Sequence, residues 1–150
     1  MAENEIVALD HRLIIFFREV SVPVARVGLF VIFFWFGIIK LLGLSPASGL
    51  IEQLYYQTTP VALDFQVFYA GFALLECIIG ILFLLRGMER VALILLFAHM
   101  ITTFLPLFLM PQVTWQSLFV PTLEGQYIIK NLVIIAAAMG IGAHLHPIKR

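Results

Sequence analysis

With 150 residues, no formal net charge, 62% apolar residues and only 12% charged ones, the chain is too apolar for a soluble globule, which usually carries about a quarter charged residues. A mean hydropathy of +1.04 places it in a bilayer, and the length allows one membrane domain over residues 1–150, with no room for a separate soluble catalytic domain. Zero net charge, with neither a basic cluster nor a Gly-rich phosphate loop, argues against nucleic-acid and nucleotide binding.

The chain opens with Glu3, Glu5 and Asp10 ahead of Arg12, the reverse of a signal peptide's basic start, so the first span is expected to be retained. Ile6, Leu9, Leu13, Phe16, Phe17 and Val20 recur at helical spacing, while Glu5, Arg12 and Glu19 fall on another face. That pattern predicts an N-terminal amphipathic helix, either lying in the interface or extending the first span. The first span is predicted over residues 22–43, with Ser21 and Pro23 as its cap and first-turn proline. Arg26 and Lys40 flank its most apolar part and return to nearly the same helix face about 21 Å apart. Near the span ends, both are expected to reach out toward water.

Ser45-Pro46, then Ile51, Leu54 and Tyr55, and finally Thr59-Pro60 predict a short surface helix in the first long connection. The second span covers residues 65–85, and Arg86-Gly87-Met88-Glu89-Arg90 turns tightly into a third over 91–110, with a kink expected at Pro106. A loop with Trp115, Phe119 and Pro121 leads to a fourth span over 127–143, and Trp115 and Tyr127 suit an aromatic belt. The fold class is therefore all-α, a four-transmembrane-helix bundle. Arg12, Arg18, Arg86, Arg90, Lys149 and Arg150 flank the spans on one side, and the two long connections carry no Lys or Arg. The positive-inside rule puts both termini in the cytoplasm and both long connections in the periplasm of a bacterial inner membrane.

Glu76 sits at the centre of the second span. A charge there costs roughly 3 kcal/mol on insertion scales, so it has to be protonated, paired or turned toward a polar cavity. Glu76 lies eleven residues before Gly87, and His99 lies eleven after Met88. The two are expected level with each other on adjacent antiparallel helices, able to share a proton. Lys40 and Lys130 are both placed about one turn inside the periplasmic ends of their spans, some 10 Å above Glu76, so a direct Lys40 to Glu76 contact is not the favoured arrangement. The functional expectation is a pocket lined by Lys40, Lys130, Asn131, Thr102 and Thr103, with Glu76 and His99 as its floor and as the catalytic pair. The competing expectation for Glu76 and His99 is an inter-helix hydrogen bond that serves packing alone. Cys77 has no partner for a disulfide or thiol exchange and reads as a small core residue. His144 and His146 lack a third ligand, so no metal site is expected. Gly28, Gly37, Gly80 and the small residues from Ala136 to Ala143 suit close helix packing.

Arg26-Val27-Gly28, Gly37-x-x-Lys40, Glu76-x-x-x-Gly80 and Glu124-Gly125-Gln126-Tyr127-x-x-Lys130-Asn131, in this order over residues 22–143, resemble the DoxX-like superfamily of small four-span membrane proteins. The resemblance implies an architecture and marks Lys40, Glu76 and Lys130. It also implies membrane subunits tied to quinone-reducing sulfur oxidation, partners of oxidative-stress enzymes, or assembly factors. The expected function is a redox-linked membrane subunit holding a quinone or similar lipophilic molecule, an enzyme only as part of an oxidoreductase, with electrons supplied by a protein partner. Two other classes compete with it. One is a non-enzymatic accessory or assembly subunit of a larger membrane complex. The other is a proton-coupled carrier, which lacks the inverted repeat and broken helices such proteins usually show.

Overall fold

The computed structural model describes residues 2–59 and 63–147, with side chains from Glu5 onward. Pro60, Lys149 and Arg150 lie outside the described residues. Helix α1 runs unbroken over Ala2–Leu41. Its forty residues span about 60 Å at 1.5 Å per residue, twice the roughly 30 Å hydrocarbon thickness of a bilayer. The amphipathic N-terminal segment is the first half of this helix, and every residue from Glu5 to Glu19 is exposed. Ser21 and Pro23 do not start a helix but sit inside one. The Ser21 hydroxyl donates back to the Arg18 carbonyl at 3.5 Å, while Pro23 forfeits one backbone donor that a long, otherwise regular helix tolerates.

Helix α2 covers Ser48–Thr58, two residues later than the Ser45-Pro46 pair suggests, because the Ser45 hydroxyl is used in the preceding turn, accepting from the Ala47 amide at 3.3 Å. Helix α3 spans Phe65–Leu84, capped by Asp64, whose side chain accepts from the amides of Gln66 and Val67. Gly87 turns the chain at φ 84° into α4, Glu89–Phe104, and α5, Pro106–Leu109. The break between them falls where Pro106 supplies no amide to the ladder, which is the kink expected there. The second connection is more ordered than a loop. A turn of helix α6, Pro111–Thr114, leads into an antiparallel pair of strands, β1 (Trp115–Ser117) and β2 (Val120–Pro121). Helix α7 then covers Leu123–Ala143. It begins four residues before the predicted span because the Thr122 hydroxyl caps it, accepting from the Gly125 amide at 3.1 Å.

Four helical stretches are long and apolar enough to cross a membrane, Glu5–Leu41, Phe65–Leu84, Glu89–Leu109 and Leu123–Ala143, as in a multi-pass membrane protein. They enclose a core of Leu29, Phe33, Ile79, Phe83, Leu96 and Ile141. The closest pairing is α1 against α3, and two glycines set it. A Cβ on Gly37 would stand 2.8 Å from the Ala73 carbonyl, and one on Gly80 would stand 2.8 Å from the Phe34 amide. Each helix thus presses a bare backbone into the other. This lock fixes the antiparallel register and places Glu76 opposite the stretch just before Lys40.

Arg26 does not reach for lipid headgroups. Its guanidinium pairs with Glu89 at 2.6 Å and donates to the Phe83 carbonyl at 2.7 Å, so it ties α1 to the α3–α4 turn and satisfies a carbonyl that the end of α3 leaves open. Arg90 donates to the His146 carbonyl, which puts the end of α7 at this same end of the bundle. At the other end, the Gln57 side chain of α2 donates to the Leu109 carbonyl at 2.9 Å.

Gly80→Ala is expected to lower stability by about 1–3 kcal/mol by overpacking against Phe34. Gly28→Ala, with no atom near its added Cβ, is expected to be neutral or stabilising by up to about 1 kcal/mol. Thermal unfolding of both variants in detergent checks the contrast.

Candidate functional site: a buried Lys40–Glu76–His99 cluster

Three ionisable side chains from three helices meet inside the bundle. Lys40 Nζ lies 2.9 Å from one Glu76 carboxylate oxygen and 2.6 Å from the other. His99 Nε2 lies 3.3 Å from Glu76 Oε1. Relative exposures are 8% for Lys40, 5% for Glu76 and 5% for His99, so the cluster is buried.

The Lys40–Glu76 pair corrects the expectation that the lysine reaches outward to water. Measuring depth from the span ends overstated the separation. With Gly37 seated against Ala73 and Cys77, Glu76 is only about one turn, ~5 Å, deeper than Lys40. Side chains on a helix lean toward its N-terminus. Lys40 on α1 therefore leans inward, and Glu76 on the antiparallel α3 leans outward to meet it. The pair is drawn together by local geometry in a medium that penalises either charge alone.

His99 arrives as the hairpin count suggests, level with Glu76. Its ring packs between Phe33 and Phe72, with centroids 5.6 and 4.8 Å away. The Thr102 and Thr103 hydroxyls donate to the His99 carbonyl at 2.7 and 3.1 Å, so they serve the α4 backbone next to the cluster. With Nε2 turned to Glu76, the second ring nitrogen, Nδ1, is buried and meets no partner among the described residues.

Lys130 and Asn131 are not brought to these three. Lys130 is exposed, its Nζ 4.9 Å above the Tyr127 ring, and Asn131 is half-buried on α7. Cys77 is free and buried. Its thiol points across the α1–α3 seam toward the Phe34 carbonyl at 3.8 Å. Comparison with known proteins adds no constraint. No family model, curated protein or solved structure matches this chain. The site therefore rests on its own geometry.

Two features lay outside the sequence reading. One is the Arg26–Glu89 pair. The other is Tyr69, which is 7% exposed and whose hydroxyl meets no partner among the described residues. Its signal was its spacing: Tyr69 stands seven residues, two turns, before Glu76 on the same face of α3.

The cluster can accept and release a proton, because Glu76 and His99 stand near hydrogen-bonding distance with Lys40 as a fixed cation. It can also act as a strut between α1 and α3. Breaking it from one side should be costly either way. Lys40→Met and Glu76→Gln are each expected to destabilise the fold by about 3–5 kcal/mol, with the double variant recovering most of the loss. A double-mutant cycle on unfolding midpoints in detergent reads the coupling.

Proposed function

We propose that this chain is a DoxX-like four-span protein of a bacterial inner membrane, with both termini cytoplasmic, serving as a redox-linked membrane subunit. The arginines Arg12, Arg18, Arg86 and Arg90, against two long connections without Lys or Arg, support that orientation. Glu76 and His99 handle the proton that accompanies electron transfer to a quinone or similar lipophilic carrier, and a protein partner supplies the electrons. The observation that carries this reading is the buried carboxylate held between an ammonium and an imidazole, with imidazole Nδ1 left over. A lysine ammonium has three donors, of which two are used here. The remaining Lys40 donor suits a carbonyl oxygen of a quinone head, and His99 Nδ1, an acceptor while Nε2 donates to Glu76, suits a hydroxyl of its reduced form. In this role Lys40 supplies the countercharge to Glu76, Glu76 and His99 pass the proton between them, and Phe33 and Phe72 keep the imidazole oriented.

A second reading has its own support in the Gly37 and Gly80 seats and the two-oxygen grip of Lys40 on Glu76. On that reading the protein is an accessory or assembly subunit, and the cluster fixes helix register for a larger complex.

One variant separates the two. Under the redox reading, Glu76→Gln lowers turnover per assembled membrane complex by about 10²-fold or more, beyond any loss of assembled protein. Under the accessory reading, activity falls only in proportion to the amount of complex assembled. Solvent extraction and mass spectrometry of the purified protein provide the direct test. A co-purifying quinone, reduced in His99→Leu, is the expected result, and failure both to retain one and to bind an added one sinks the redox reading.

A further inference from the structure

We propose that the first half of α1, from Glu5 to Glu19, is the docking helix for a water-soluble protein partner whose apolar groove carries a cationic side chain that meets Asp10. Both readings of the function call for a protein partner. The inference rests on that requirement and says where the partner binds and what chemistry it presents.

Counted back from Leu41, the roughly 30 Å of bilayer hydrocarbon is used up by about twenty helical residues, at Ser21, yet α1 continues to Ala2. The rest of the bundle ends near the same level, where Arg26 pairs with Glu89 beside the α3–α4 turn and Arg90 holds the end of α7. Each residue from Glu5 to Glu19 is exposed, so no other element covers them. A helix that stands alone in water is polar all round. This one carries Ile6, Val7, Leu13 and Ile14, with exposures from 42% for Ile14 to 68% for Ile6, and then Phe16 and Phe17, also exposed.

A bilayer surface, a second copy of the chain and a different protein are the occupants such a face admits, and Asp10 separates them. The surface neighbours of a helical residue stand three and four positions away. For Asp10 these are Ile6, Val7, Leu13 and Ile14. Glu5, Arg12 and Glu19 follow one another at seven-residue intervals on another stripe, with alternating sign, while Asp10 is an acid set among the apolar residues. No ion pair among the described residues involves it. Once this face is covered, its short side chain cannot return to water as a lysine or arginine does. Laid in a bilayer, the face would bury a carboxylate without a countercharge, and α1, unbroken over its whole length, would first have to bend to reach the lipid. Two copies in one membrane run parallel. With Ile6, Leu9, Leu13, Phe16 and Val20 as their seam, Glu5 of one copy would flank Asp10 of the other, a repulsive pair. A groove with a lysine or arginine opposite Asp10 meets both demands. Grooves that bind helices take apolar anchors at i, i+3, i+4 and i+7; Ile6, Leu9 and Leu13 hold three of these positions, and Asp10 holds i+4. A charge pair enclosed by apolar contacts then fixes register and excludes other partners.

The test is site-specific photo-crosslinking of the full chain in its native membranes, with a benzophenone-bearing phenylalanine analogue in place of Leu13, beside Asp10, or of Ile15, on the far side of the helix. Mass spectrometry resolves the adducts. The probe at Leu13 is expected to join one protein species in at least about tenfold higher yield than the probe at Ile15. Asp10→Arg is expected to lower that yield about tenfold or more, and an acidic substitution of the partner's cation nearest the crosslinked peptide is expected to restore it. Unfolding midpoints of these variants should match the wild type, since the segment touches no other element. An adduct with lipid, an adduct with a second copy, or a protein adduct that Asp10→Arg leaves unchanged overturns the docking site. A native complex that contains a partner protein but gives no adduct at Leu13 overturns it too, and leaves both functional readings standing. A chain that runs alone on native gels of mildly solubilised membranes and gives no protein adduct overturns those readings together with the docking site.

Discussion

A carboxylate in the middle of a bilayer has to be answered by something, and in this protein Glu76 is answered by Lys40. An acid placed there costs several kcal/mol if left alone, and a lone lysine at that depth fares no better. The pairing depends on backbone distance before it depends on charge. Gly37 and Gly80 remove the two Cβ atoms that would hold α1 and α3 apart, and only then do both side chains, each leaning toward its own helix N-terminus, converge. The ion pair and the glycine seats therefore form one device.

The same helix carries a second cation to a second acid. Arg26 and Lys40 lie fourteen residues apart on α1, almost a whole number of turns, so they project from one face. Arg26 meets Glu89 at the start of α4 and the Phe83 carbonyl near the end of α3, while Lys40 meets Glu76 further along. The α3–α4 hairpin is thus gripped at its turn and at mid-depth by one helix.

The parts of this arrangement that were legible in the sequence are those governed by period and count. The four apolar stretches and the helix after Lys40 follow from hydropathy and punctuation, and the shared level of Glu76 and His99 follows from counting outward from a tight turn. The Lys40 contact was not legible, because its depth was taken from the end of the span, whereas register is set by where glycine backbones touch, a property of two helices at once. Ser21-Pro23 and Ser45-Pro46 misled for a related reason. Each has the chemistry of a helix start, but in the fold the first pair is absorbed into a longer helix and the second into a turn. The early start of α7 came from Thr122 acting as a cap ahead of the apolar run. The expectation that Lys130 and Asn131 join the pocket came from depth alone. Depth says nothing of the direction a side chain faces, and Lys130 lies over Tyr127 at an exposed position.

With Lys40 as an ammonium, Glu76 as a carboxylate and His99 as a neutral imidazole, the cluster has no net charge, the state a low-dielectric interior favours. Adding one proton, whether to His99 or to Glu76, leaves it with a net positive charge, because Lys40 has no second acid among its hydrogen-bonded partners. Proton uptake inside the bilayer is therefore favourable only when a negative charge arrives with it. An electron delivered to a bound carrier beside His99 is one such charge, and this is the physical sense in which a cluster of this composition suits redox-linked proton uptake. A strut has no need of that third member. Lys40 and Glu76 already neutralise each other, and an apolar side chain between Phe33 and Phe72 would fill the space of the imidazole without burying a ring nitrogen that finds no partner among the described residues. The proton-handling proposal accounts for the histidine; the purely structural one leaves it as an expense without a return.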